Sequence, residues 1–471
     1  MRAIPIIFLA AACSTPERPL QVQMATQIEG STSPSLPARF RSRLLRTLPP
    51  YQQHWTVEHI ESVGDWDGDG IVDLAVSNSD SANKDTRGNP YGAAGVLILS
   101  SRDGRQVAAL LGAPEIVHSP TLWRWEKRFT TLGDIDSDKR SDVALLSSGI
   151  RADGTRGAVL CAFGNGRPDP IWKQDITVPN GCMPFTLQRV GDLDRDGIRD
   201  LAIGVPPYDG GPSPPAWTDA AGFVEVRSGK DGHALWQLRG EIGMRTGWQM
   251  ARHADVDGDG IEELAVLVIA RDPSDSGVGS NERQPRVDIL RGSTGETLRS
   301  IPGAPDPSWT RRESMVPFQL VGGEDIDGDG FSDLTIRTLR TGEPNVLDVL
   351  SGRDDSVLAR MTAHPDPNGR EDGWFPSAVA IGSDVDGDGW RDLLLGHDEV
   401  GNEQGYDWGA IYVQSARTNA LLAAVWGTQE DSKLGDAIAW LGDTDGDGAP
   451  EFAAPTTQGI KIWAIERDGA K

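Results

Sequence analysis

The side chains best suited to chemistry in this sequence are carboxylates, and they recur at a fixed spacing. The pattern Asp-x-Asp-x-Asp, a turn residue that is Gly in six cases, two further residues and then Asp or Glu occurs seven times. It starts at Asp65, Asp134, Asp192, Asp255, Asp325, Asp384 and Asp443, in steps of 69, 58, 63, 70, 59 and 59 residues. Carboxylates at positions 1, 3, 5 and 9 of a tight loop converge on one point. With a backbone carbonyl from position 7 they form an all-oxygen set that suits Ca²⁺ at about 2.3–2.6 Å. Gly at position 6 permits the sharp turn. The loop is not an EF-hand, because no bidentate Glu stands at position 12 and strand-type runs flank it. Asp-rich turns without metal would leave four carboxylates repelling one another, so the pattern points to as many as seven structural calcium ions.

The loops are not equivalent. Loops one (Asp65, Asp67, Asp69, Asp73), three (Asp192, Asp194, Asp196, Asp200), five (Asp325, Asp327, Asp329, Asp333) and six (Asp384, Asp386, Asp388, Asp392) are complete. Loops four (Asp255, Asp257, Asp259) and seven (Asp443, Asp445, Asp447) end in Glu263 and Glu451, whose longer side chains still reach. Loop two (Asp134, Asp136, Asp138, Asp142) has Lys139 where the others have Gly. Strain there and an ammonium competing with the ion make it the expected weakest site. Seven divalent ions would move the net charge from −25 to −11, so much of the acidity is ligand.

Such loops need elements to hold them, and each repeat supplies the same script. In the third, Phe185–Gly191 is a short apolar strand, the Asp loop turns the chain, and Leu201–Val205 is a second strand. After a Pro/Gly-rich loop come Gly222–Arg227, a tight hairpin at Ser228-Gly229-Lys230-Asp231-Gly232, and Ala234–Arg239. Related hairpins stand at Arg102-Asp103-Gly104, Ser293-Thr294-Gly295 and Gly352-Arg353-Asp354. Four antiparallel strands repeated radially are blades, so the expected fold is an all-β, seven-bladed β-propeller. The last repeat has room for three strands only. Residues 43–48 are therefore expected to pair with 459–465 and close the ring.

These motifs resemble the FG-GAP repeats of integrin α-subunit propellers and their bacterial relatives, over about 43–469. The resemblance implies metal in the loop between the first and second strands of a blade. Gly204-Val205-Pro206 is the best match to the Gly-x-Pro signature, and Gly247-Trp248 stands where Phe-Gly is expected. The weak signatures leave integrin-like ligand recognition outside what the resemblance implies.

The remaining features bear on location and partners. Met1-Arg2, an apolar stretch and Leu9-Ala10-Ala11-Ala12-Cys13 read as a lipoprotein-type signal peptide over 1–12, with Cys13 as the lipidation site; an ordinary secreted protein is the alternative. Residues 13–42 read as a flexible tether. The expected location is the outer membrane or cell surface, with membrane contact only through the lipid. No run of about 18 apolar residues occurs. The charge of −25 argues against nucleic acid. Cys161 and Cys182 could be a disulfide or two thiols.

Loops on the face opposite the Asp loops carry aromatics, among them Trp123, Trp125, Tyr208, Trp217, Trp309, Trp374 and Trp408. They are a candidate platform for a protein or glycan ligand, against the alternative that they plug gaps between blades. Trp66, Trp236, Trp390, Trp426 and Trp440 are expected to pack within the framework. No Gly-x-Ser-x-Gly or His-Glu-x-x-His motif occurs, and of the seven His only His397, just after a second strand, merits inspection as catalytic. The expectation is a monomeric calcium-binding scaffold rather than an enzyme. The alternatives are a polysaccharide lyase or hydrolase, or a structural envelope component.

Overall fold

The computed structural model describes residues 40–48, 57–78, 95–117, 128–167, 169–179, 181–207, 221–242, 244–270, 286–302, 319–338, 345–362, 375–400, 408–427 and 434–467. Strands account for the regular structure, and no described helix is long and apolar enough to cross a membrane. Seven antiparallel sheets follow one another along the chain.

The third repeat shows how the sequence becomes a blade. Its strands are Thr186–Arg189, Leu201–Val205, Phe223–Arg227 and Ala234–Arg239, paired in that order. The second strand is buried on both faces, which is why it reads as an unbroken apolar run. Period-2 alternation then divides its side chains between two neighbours. Leu201, Ile203 and Val205 join the core shared with blade two, and Ala202 joins the core shared with blade four. The same division repeats at every junction. Seven cores form, each between consecutive blades, and the last joins Ala453 and Ile462 of blade seven to Leu74 and Val76 of blade one. That closes a seven-bladed ring.

The closing seam matches the expectation and runs longer. Phe40–Leu48 pairs with Gly459–Arg467, from Phe40↔Arg467 to Leu48↔Ile460, as the outer strand of the blade formed by Ala439–Gly442 and Glu451–Thr456. Pairing thus begins three residues before the expected 43.

Blade two departs from the script. Its innermost position is shared by Ile116–Val117 and Phe129–Thr131, which both pair with Val143–Arg151. Two glycine pairs let neighbouring blades touch backbone to backbone. A Cβ on Gly204 would lie 1.9 Å from the Gly247 carbonyl, and one on Gly396 would lie 1.9 Å from the Gly435 carbonyl. Gly204 and Gly247 are the residues that carried the Gly-x-Pro and Phe-Gly matches.

Candidate metal centres

Every Asp loop joins the first and second strands of its blade, so all seven open on one face of the ring. Loop five shows how the backbone shapes the cluster. Asp325 accepts the N–H groups of Gly328 (2.7 Å), Asp329 (3.1 Å) and Gly330 (2.9 Å). Asp327 accepts from Asp329 (3.1 Å), and Asp329 from Phe331 (2.9 Å). Asp333 accepts from Ile326 (2.7 Å) with one oxygen and from Gly352 of the third-to-fourth-strand hairpin (2.8 Å) with the other. The last carboxylate therefore ties two turns of the blade together.

This winding needs left-handed backbone at two positions. Position 6 has φ of +84° to +92° where it is Gly, and position 4 has φ of +77° to +82° where it is Gly. Sequence reasoning identified position 6 and missed position 4, although Gly68, Gly258, Gly328, Gly387 and Gly446 recur there. The exceptions are Ser137 (φ 66°) and Lys139 (φ 72°) in loop two and Arg195 (φ 62°) in loop three. These carry the cost of an L-residue in a region favouring Gly. Lys139 itself is exposed and donates its N–H to Asp134 (2.7 Å).

Carboxylate oxygens gather in threes, not as the full expected set of four. In Asp65/Asp67/Asp73, Asp134/Asp136/Asp142, Asp192/Asp194/Asp196, Asp255/Asp257/Asp259 and Asp325/Asp327/Asp333, one oxygen from each residue lies within 4.8 Å of the others. Position 9 is buried in all seven loops, as Asp73, Asp142, Asp200, Glu263, Asp333, Asp392 and Glu451. Burial drives these carboxyls up, and the acidic neighbours add to it. Asp73, Asp200 and Asp333 reach about 6, Asp142 and Asp392 about 7, and Glu263 and Glu451 shift the same way.

Among the described residues, three buried carboxylate oxygens of the Asp loops have no hydrogen-bond partner: Oδ1 of Asp136, of Asp142 and of Asp392. A hard divalent cation would satisfy such atoms, and the purely oxygen donor set, without His or Cys, suits a hard ion such as calcium and not softer metals. The residues fit a calcium ion.

Basic side chains modulate the loops unequally. Loop one pairs Asp69 with Arg102 (2.7 Å) and Asp67 with Arg105 (2.6 Å), and the Arg140 guanidinium donates to the Trp66 carbonyl (2.8 Å). Loop four pairs Asp257 with Arg291 (2.7 Å), and loop two pairs Asp136 with Arg167 (3.3 Å). Among the described residues, no Lys, Arg or His nitrogen lies within 4.0 Å of a loop-five carboxylate. Arg353 instead covers the Phe331 ring at 5.2 Å. Arg102, Arg105, Arg167 and Arg291 come from the hairpin of the same blade and Arg140 from the next Asp loop, so a local motif does not reveal them.

Other sequence-derived residues divide as follows. Trp123, Trp125, Tyr208, Trp217, Trp309 and Trp374 lie outside the described residues, as does Cys13. Trp408 is partly buried and its backbone N–H donates to the Val400 carbonyl (3.0 Å). Trp66 is buried in the junction of blades one and two, and Trp236, Trp390 and Trp440 pack against other junctions. Trp426 departs from its expected packing role. It lies on an outermost strand at 45% exposure, edge-on to Tyr412. His397 is buried and meets the Phe375 ring edge-on at 5.4 Å. Cys161 and Cys182 are free buried thiols in different inter-blade cores, and burial pushes both to about 11.

No protein-family model matches the chain. The integrin alpha-PS2 of Drosophila melanogaster is 32% identical over 154 residues, which is 30% of this chain and 10% of the integrin's length. Among solved structures, the V. cholerae biofilm matrix protein Bap1 matches with a TM-score of 0.42 at 11% identity, over 91% of both chains. The rhamnogalacturonan lyase YesW matches with a TM-score of 0.41 at 13% identity, over 90% of this chain and 75% of its own. At these scores neither likeness bears on function.

Proposed function

We propose that this chain is an extracytoplasmic, calcium-stabilised propeller that binds a protein or glycan and performs no catalysis. The observation that carries the calcium reading is the buried position-nine carboxylate, raised by burial and in loops two and six left with an oxygen that no donor reaches. A divalent cation at each loop neutralises these groups and locks the strand-to-strand turn. The partial similarity to an integrin α chain supports a place at the cell surface or outside the cell, with Cys13 as the lipid anchor. The aromatic-bearing loops, including Trp408, would meet the ligand on the face away from the metal loops.

Thermal unfolding with calcium and with excess EDTA tests the metal role. One site at 100 times its Kd adds about 2.7 kcal/mol, so several sites give a large fall in Tm on chelation. An unchanged Tm would remove the structural role for the ion. A glycan array probed with and without calcium then asks what the opposite face binds.

A further inference from the structure

We infer that loops two and six are the tightest cation sites and fill first. This rests on the calcium reading above and reverses the order expected from Lys139.

The difference lies in the second oxygen of the position-nine carboxylate. In loops one, three, four and five a hairpin N–H satisfies it: Ser101 on Asp73 (3.3 Å), Gly229 on Asp200 (3.0 Å), Gly292 on Glu263 (2.9 Å) and Gly352 on Asp333 (2.8 Å). In loops two and six the corresponding atoms, Oδ1 of Asp142 and of Asp392, have no donor although both residues are fully buried. Their other oxygens are used as elsewhere, by the N–H groups of Ile135 and Val385, each at 2.7 Å.

The local cause in blade two is visible at Gly164. An added Cβ there would lie 2.7 Å from Asp136 and 3.3 Å from Asp142, so the hairpin backbone abuts the cluster without donating to Asp142 Oδ1. Asp136 Oδ1 is equally without a partner, while its other oxygen pairs with Arg167. Loop two thus turns two unsatisfied buried oxygens toward its acidic neighbours.

An unsatisfied buried acceptor raises the free energy of the metal-free loop, and a cation removes that penalty on binding. In loops one, three, four and five a hydrogen bond has already reduced it, and in loop seven the Thr444 hydroxyl donates to one oxygen of Glu451 while the Arg46 guanidinium stands 4.0 Å from the other. The difference corresponds to an affinity advantage on the order of 5- to 150-fold. Lys139 bears on this less than its charge implies, because its side chain is exposed and its strain belongs to the backbone with or without an ion.

The test strips the full-length protein with EDTA, returns two equivalents of terbium(III) per chain, and locates the ions by anomalous scattering in crystals. The strongest peaks are expected at loops two and six. Strongest peaks at any other loop overturn the inference. A calcium titration by calorimetry gives an independent readout. Asp142→Asn and Asp392→Asn should each delete one site of the tight class, and Asp333→Asn one of the weaker class. An unchanged tight class in both of the first two variants, each checked for native circular dichroism, also overturns it. Absence of any calcium uptake by the unaltered protein removes the underlying metal reading and this ranking together.

Discussion

Loops one and five are a matched pair within one molecule. Both read Asp-x-Asp-Gly-Asp-Gly-x-x-Asp, both wind through left-handed glycines, and both bury a final aspartate pushed up to about 6. They differ in what surrounds them. Loop one is held by Arg102 and Arg105 from its hairpin and by Arg140 from the next loop, whereas the corresponding hairpin arginine of loop five, Arg353, covers a phenylalanine. At position 7 of the next loop, Arg140 is replaced by Trp390, which packs into the junction of blades five and six. Identical ligand sets thus meet different fields. One loop carries its own counter-charge, and the other has no basic partner among the described residues.

The largest effect should come from removing the shared element. Asp333→Ala loses three backbone hydrogen bonds, from Ile326, Asp327 and Gly352, and should destabilise the calcium-loaded protein by about 2–4 kcal/mol in urea unfolding. Asp73→Ala should cost a similar amount. A neutral Asp73→Ala would mean that its arginines, rather than its final aspartate, hold loop one together.

A smaller effect concerns pH. Asp73 and Asp333 titrate near 6 in the fold against an ordinary value of 3.8, so folding favours their protonated forms. Their contribution to stability is fully present below about pH 4 and is lost as pH rises through about 6. In EDTA, Tm should therefore be higher at pH 5 than at pH 7.5, and saturating calcium should abolish or invert the difference. A metal-free Tm that rises across that interval would contradict the burial argument.

The smallest effect separates the pair most cleanly. Arg102→Ala with Arg105→Ala should cost at most about 1 kcal/mol per pair without metal, because both guanidinium groups are more than half exposed. It should tighten calcium binding at loop one by about 3- to 30-fold and bring it toward loop five. Unchanged calorimetric affinity would show that the arginines yield to the ion at no cost.

How much of this was legible follows from the range of each interaction. The seven loops, the two-faced apolar second strands and the closing strand are written in residues a few positions apart, where period and turn chemistry act. Leu201–Val205 and Ala234–Arg239 fall where the pattern puts them. The left-handed residue at position 4 was equally local and was overlooked because Ser137 and Arg195 mask the glycine. The rest depends on distant partners. Nothing near Asp67 announces Arg105, nothing near Asp142 announces the placement of Gly164, and the division of blade two's inner strand has no repeat signal. The same holds for a belt of polar contacts joining neighbouring inner strands, such as Arg189 to Thr131 and Thr131 to Glu61. The cysteines sit on different sides of blade two, Cys161 on its strand Arg156–Phe163 and Cys182 outside any strand. Cys161 faces blade one, while Cys182 packs on the side shared by blades two and three.

The seam between Phe40–Leu48 and Gly459–Arg467 has a mechanical consequence. Phe40 and Arg467 are opposite each other at its outer end, where Arg41 also grips Glu466. A force drawing those two residues apart loads the rungs singly, so the ring peels open from this corner instead of shearing all its rungs together. Covalently joining residue 40 to residue 467 and cutting the chain between two other blades would move that vulnerable corner elsewhere on the circumference.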